Sequence, residues 1–220
     1  MKKNKIIPPK NKPYEINEPE VNHFNEIDLS GTYSYASYLR WKFEERVELI
    51  KGKVFQMGAP LVDHQRITGL IYAELYGFLK ERRCEAFVAP FDVRFPKASK
   101  EDRDVYTVLQ PDVCVVCDPA KIDRRGCIGA PDIVVEVLSP GNTKKELYNK
   151  FKVYEEFGVK EYWIVHLTER YFDKYIRNED GVFIAGSPYT CGSQFGSDIL
   201  PAFRLNIDEV FGVMKDQDEG

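Results

Sequence analysis

Residues Gly129 to Tyr162 read GAPDIVVEVLSPGNTKKELYNKFKVYEEFGVKEY. Ile133, Val134, Val135, Val137 and Leu138 form a β-branched run that is apolar on both faces of a pleat. Such a run predicts a central strand covered on both sides. Glu136 interrupts it. An ionised carboxylate there costs several kcal/mol unless a cation or strong donors meet it. Two readings follow: a carboxylate held by a buried arginine, or a metal ligand.

The strand ends at Ser139-Pro140-Gly141, since proline lacks a donor and glycine permits a turn. Thr143 and Glu146 have the spacing of a capping box, which predicts a helix from Lys144. Leu147, Phe151, Tyr154 and Phe157 give that helix its inward stripe, and Gly158 stops it. Lys150 falls inside the stripe. It either snorkels to water or reaches the carboxylate on the strand. Glu161 to Leu167, EYWIVHL, reads as the next strand.

Working outward, Thr107 to Cys117 predicts a strand interrupted at Gln110-Pro111, where proline marks a bulge or a strand start. Asp112 follows at once. A short polar connection joins this strand to Ile133–Leu138, so the two are expected to pair and to bring Asp112 near Glu136, with Lys150 approaching from the helix. Two hard carboxylates plus water suit Mg²⁺ or Mn²⁺. Such an ion polarises a phosphoryl oxygen and acidifies a bound water, while a lysine positions or deprotonates that water or stabilises the charge that develops. Asp132 shares the face of Glu136 but lies about 13 Å along the strand, too far for the same ion.

Farther out, Val47 to Met57 predicts a hairpin around Lys51-Gly52. Asp63 is positioned to cap a helix reaching about Arg82, with a stripe of Ile67, Leu70, Ile71, Leu75 and Phe78. His64 opens that stripe and Glu74 lies within it; each reads either as a satisfied core group or as a site group. Ser34 to Phe43 predicts a short helix, Cys84 to Phe95 one or two strands, and Tyr171 to Ala185 a hairpin. Residues 1–28 read as a flexible or partner-ordered arm, 29–215 as one domain and 216–220 as a tail. The segment from Pro201 to Phe211 is a candidate dimer surface.

Composition narrows the function. The chain has 220 residues and a formal net charge of −4, which argues against coating nucleic acid through bulk charge. No apolar run approaches the roughly 20 residues that span a bilayer, and the N-terminal segment lacks an apolar signal core. Five cysteines without metal-finger spacing point to reduced thiols and a cytoplasmic protein, and C-x-x-C at Cys114 and Cys117 is not expected to hold zinc.

These motifs also carry a resemblance. QPDVCVV, GAPDIVVEVLSP and the block from Lys150 through GVKEYWIV, with VELIKGKVFQM, His64 and APFDVRF upstream, resemble the PD-(D/E)XK nucleases, and within them the Uma-type restriction-endonuclease-like family. The resemblance runs from about Val47 to Phe211. It implies an α/β fold, a mixed α+β sheet forming a restriction-endonuclease-like core with flanking helices. It implies metal-dependent hydrolysis of DNA phosphodiesters, with Asp112 and Glu136 as the acids that hold the ion. The motif lysine should stand two residues after Glu136, where this chain has Leu138. Lys150 matches the helix lysine of the Uma-type family. Glu48 and His64 match an acid and a histidine that complete the site. A homodimer is implied because cutting a duplex takes two sites. Two other readings stand beside the nuclease: a degenerate nuclease fold that binds nucleic acid or protein, and a structural oligomer whose acids are paired in the core.

Overall fold

A computed structural model describes residues 20–139 and 144–214. In chain order the elements are α1 (Tyr35–Tyr38), β1 (Val47–Ile50), β2 (Lys53–Gln56), α2 (Val62–Leu79), β3 (Glu85–Val88), β4 (Val93–Arg94), β5 (Val108–Leu109), β6 (Val113–Val116), β7 (Ile122–Asp123), β8 (Gly126–Ile128), β9 (Ile133–Leu138), α3 (Lys144–Phe157), β10 (Glu161–His166), β11 (Tyr171–Arg177), β12 (Phe183–Ala185), β13 (Tyr189–Thr190), β14 (Gln194–Gly196), β15 (Arg204–Asn206) and α4 (Ile207–Gly212).

Two main sheets result. The central one runs β12-β11-β10-β9-β6-β3, with β13 also on β11. β9 and β10 are parallel, with Glu136 opposite Ile164, and α3 is their crossover. β6 lies antiparallel on the other side of β9, with Val113 opposite Val135. The second sheet runs β2-β1-β5-β4-β8-β7. β14 and β15 form a separate pair.

β9 is covered on both sides, as its apolar run predicts. Ile133, Val135 and Val137 pack with Ile67, Ile71 and Leu75 of α2 in one core. Val134 packs with Val153 and Tyr154 of α3 in the other, which also takes in Ile50, Val93 and Leu109 of the second sheet. α3 packs one face against the core that the two sheets share, and its stripe contains the buried Lys150 as well as Val153 and Tyr154. Gly158 ends it at a φ of 89°, a conformation that favours glycine.

Gln110-Pro111 is more than a bulge. β5 belongs to the second sheet and β6 to the central one, so the chain crosses between sheets at this proline. Pro111 has no N–H to leave unpaired where the ladder is abandoned.

Several expectations change. Leu61, not Asp63, is the N-cap residue of α2; Asp63 sits in the first turn and binds Arg66 at 2.7 Å. Glu74 is exposed, so it is not a satisfied core group. The apolar residues of the Pro201–Phe211 segment point inward: Phe203, Leu205, Ile207, Val210 and Phe211 are buried in this chain's own core with α2, and Arg204, Asp208 and Glu209 are exposed. The five cysteines are not all free, because Cys84 and Cys117 are bridged. Glu85 pairs with Val116, and continuing that ladder sets Cys84 opposite Cys117. Such a bridge is uncommon in reducing compartments.

Thr143 and residues 1–19 and 215–220 lie outside the described residues, and with them the capping box, most of the expected arm and the tail. Within the rest of that arm, Val21 bridges Trp41 and Ile27 is buried. Among the described residues, no helix is long and apolar enough to cross a membrane.

Candidate active site

The cross-over at Pro111 sets Asp112 at the end of β6, next to Glu136 on β9. Val113 faces Val135, so the following cross-strand position brings Asp112 and Glu136 together. Asp112 Oδ2 accepts the Val137 N–H at 2.7 Å. His64 Nε2, from the first turn of α2, lies 3.3 Å from the same oxygen.

Lys150 enters from α3. Its Nζ is 3.0 Å from Glu48 Oε1 and 3.1 and 3.2 Å from the two Glu136 oxygens. The lysine does not snorkel to water, and the partner of Glu136 is a lysine, not an arginine. Glu48 is 2 % exposed, and Glu136 and Lys150 are each 6 % exposed. Tyr154, one helical turn beyond Lys150, donates its hydroxyl to Glu136 Oε1 at 2.5 Å. Gln110 donates its backbone N–H to Glu48 Oε1 at 2.8 Å, which ties the acid of β1 to the crossing segment. All five residues singled out in the sequence, Glu48, His64, Asp112, Glu136 and Lys150, thus meet where the two sheets and two helices converge. Asp132 is elsewhere, bound to Lys160 at 2.6 Å and to the Cys117 N–H at 2.7 Å.

Three carboxylates surround one buried ammonium, so negative charge is in excess. Burial pushes the Glu136 carboxyl up to about 7; Lys150 opposes this, while Asp112 and Glu48 add to it. Burial alone would lower Lys150, but Glu136 and Glu48 outweigh it and hold the ammonium well above its usual range. Burial likewise lowers His64, and the hydrogen bond and charge of Asp112 more than reverse this.

The cluster opens into a pocket of about 400 Å³, to which Asp112, Glu136, His64 and Lys150 contribute, with Arg46, Gln56, Gln65, Thr68, Ser139 and Glu146 as further polar lining. Among the described residues, no three His, Cys, Asp or Glu side chains gather closely enough to hold an ion by themselves. Asp112 and Glu136 nonetheless fit Mg²⁺ or Mn²⁺. Such ions take one or two carboxylates and complete their shell with water and substrate oxygens, and the surplus negative charge favours a cation.

Sequence reasoning missed three neighbours. Tyr154 counted only as an apolar stripe residue, although a stripe tyrosine one turn from a buried lysine already signals a hydroxyl near the same carboxylate. Gln110 counted as a strand break, and Arg46 lay just outside the hairpin read at Val47 to Met57. Neither carries a one-dimensional signal.

The fold resembles the crystal structure of a putative nuclease belonging to DUF820 from Anabaena variabilis, with a TM-score of 0.63 at 19% identity, covering 82% of this chain and 98% of that one. An uncharacterized protein of Synechocystis sp., slr1290, is 29% identical over 151 residues, which is 67% of this chain and 76% of the relative. Residues 35–207 match the Uma2 family, described as "Putative restriction endonuclease", and span every residue of the cluster. The chain belongs to the Uma2 family.

Proposed function

We propose that the protein is a metal-dependent endonuclease that hydrolyses DNA phosphodiesters at the Asp112–Glu136–Lys150 cluster. The observation that carries this reading is a buried ammonium held by Glu48 and Glu136 beside Asp112, inside an open pocket. Three acids, Glu48, Asp112 and Glu136, face two basic groups, Lys150 and His64, and the acid left over is charge that a divalent ion would neutralise.

Asp112 and Glu136 would hold the ion, which supplies Lewis-acid polarisation of the phosphoryl oxygen and an acidified water. The chain's own residues set the rest. His64 and the Val137 N–H fix Asp112 Oδ2, and Tyr154 fixes Glu136. Glu136 and Glu48 hold Lys150 as an ammonium, so it donates to water or to a phosphoryl oxygen and stabilises the charge that develops there. Its Nζ approaches Glu136 although the motif position two residues along β9 is Leu138, so the ammonium reaches the acids from a different element.

The test is nicking of supercoiled plasmid in Mg²⁺ or Mn²⁺, with EDTA, Glu136→Gln and Lys150→Ala as controls. Cutting lost in all three supports the reading. Wild-type protein that binds metal yet cuts neither DNA strand overturns it and favours the degenerate binder. A second copy of the chain is part of the proposal, since one site cuts one strand. Linear product formed in step with nicked product, from protein that sediments as a dimer, checks it.

A further inference from the structure

Arg46 lines the pocket without a described carboxylate partner. Its Nε and Nη2 both donate to Gln110 Oε1, at 3.2 and 2.8 Å. This uses one edge of the guanidinium on a neutral acceptor. The Nη1–Nη2 edge takes no partner among the described residues. Arginine presents that edge as a planar fork matched to two oxygens of a phosphate.

Gln110 is itself fixed. Its amide nitrogen donates to Tyr38 Oη at 3.1 Å and to Asp92 Oδ1 at 2.9 Å, while Tyr35 donates to Asp92 Oδ2 at 2.9 Å. Tyr35 is 1 % exposed, so the chain of bonds is anchored in the core. The same residue therefore holds two groups of the site: Glu48 through its backbone N–H and Arg46 through its side chain. A rigid support of this kind is what a preorganised binding group needs.

The charges decide what Arg46 faces. Lys150 is engaged by Glu48 and Glu136, and His64 by Asp112. A phosphodiester is anionic and must enter a pocket rich in carboxylates. Among the described residues lining the pocket, Arg46 is the cation whose charge no acid balances.

We infer that Arg46 is the phosphate-binding residue of this pocket, its free guanidinium edge gripping non-bridging oxygens of the DNA backbone, with Gln110 as the positioning residue that sets its angle. The inference rests on the nucleic-acid reading above, but not on cleavage.

The experiment is fluorescence anisotropy with a short labelled DNA duplex in Ca²⁺ over a salt series, using wild type, Arg46→Ala, Arg46→Lys and Gln110→Ala, each checked for wild-type circular dichroism. Arg46→Ala is expected to weaken binding about ten- to a hundredfold, the worth of a charge-assisted contact, and to flatten the salt slope by about 0.9. Arg46→Lys restores the slope and part of the affinity. Gln110→Ala weakens binding but keeps the slope, which a merely structural role in the fold would not separate. Unchanged affinity and slope in Arg46→Ala overturn the inference, as does wild-type protein that binds no duplex. Plasmid nicking is scored separately in Mg²⁺. Loss of the Arg46 contact without any wild-type cutting leaves this inference standing and removes the nuclease. Cutting and binding that ignore Arg46 do the reverse.

Discussion

Replacing Glu136 by glutamine separates a metal-site acid from a structural one. Glutamine keeps the oxygen that accepts from the Tyr154 hydroxyl and from Lys150 Nζ, so the packing and these two hydrogen bonds survive. The charge goes, and with it the second Nζ contact at 3.2 Å. The wild-type carboxyl is raised from a usual 4.5 to about 7, first by burial. A raised carboxyl stabilises the fold below its unfolded pKa, and that contribution is lost as the pH climbs through the folded one. The wild type should therefore weaken between pH 4.5 and about 7 in EDTA. At roughly 1.4 kcal/mol per pH unit, the loss is about 3 kcal/mol. Glu136→Gln has no such loss, so it should match the wild type near pH 4.5 and exceed it by about 3 kcal/mol at pH 8. Urea unfolding followed by tryptophan fluorescence at the two pH values measures this directly. Mg²⁺ should then stabilise the wild type at pH 8 and leave the variant unmoved. A variant less stable than wild type at pH 8 in EDTA would refute the reasoning, because Glu136 would then be held as a needed ion-pair partner.

Other outcomes follow from the same geometry. Lys150→Met leaves Glu48 and Glu136 buried without their cation, so it should cost about 3–5 kcal/mol in EDTA, and added Mg²⁺ should recover part of that in the urea midpoint. Tyr154→Phe deletes the 2.5 Å bond to Glu136; its unfolding free energy should fall by about 1.5 kcal/mol. Leu138 lies two residues from Glu136 and lines the pocket, so Leu138→Lys in a Lys150→Ala background should regain nicking at least tenfold over Lys150→Ala alone. Phe203 is 2 % exposed and stacks on Trp163 at 5.9 Å; Phe203→Ala should lower stability by about 3–5 kcal/mol without changing the sedimentation coefficient.

How much was legible varied with the length of the pattern. β9 and α3 each carry a long enough run for period 2 or 3.6 to stand out, and their two misfits, Glu136 and Lys150, point at each other in the folded chain. β6 pairs with β9 as expected, but the connection is not the short polar link anticipated: it leaves the central sheet and adds β7 and β8 to the second one. Glu48 came through resemblance to a family, since one acid in a four-residue strand is no signal. The second sheet stayed hidden because β4, β5 and β7 are two residues each, too short for alternation, and their order depends on partners far along the chain. The Cys84–Cys117 bridge spans 33 residues and depends on the register of β3 with β6, which no local pattern encodes. The Gln110 bonds are of the same kind, reaching back to Arg46, Glu48 and Tyr38.

The crossing at Gln110-Pro111 has a consequence for biosynthesis. Glu48 emerges early, on a hairpin of the second sheet, and cannot meet its cation until Lys150 has left the ribosome and α3 has packed against the shared core. A nascent chain ending before that helix holds acids but no ammonium, and a truncated fragment is in the same position. The cluster of acids and ammonium is therefore whole only in a chain that has been synthesised past Lys150 and folded around it.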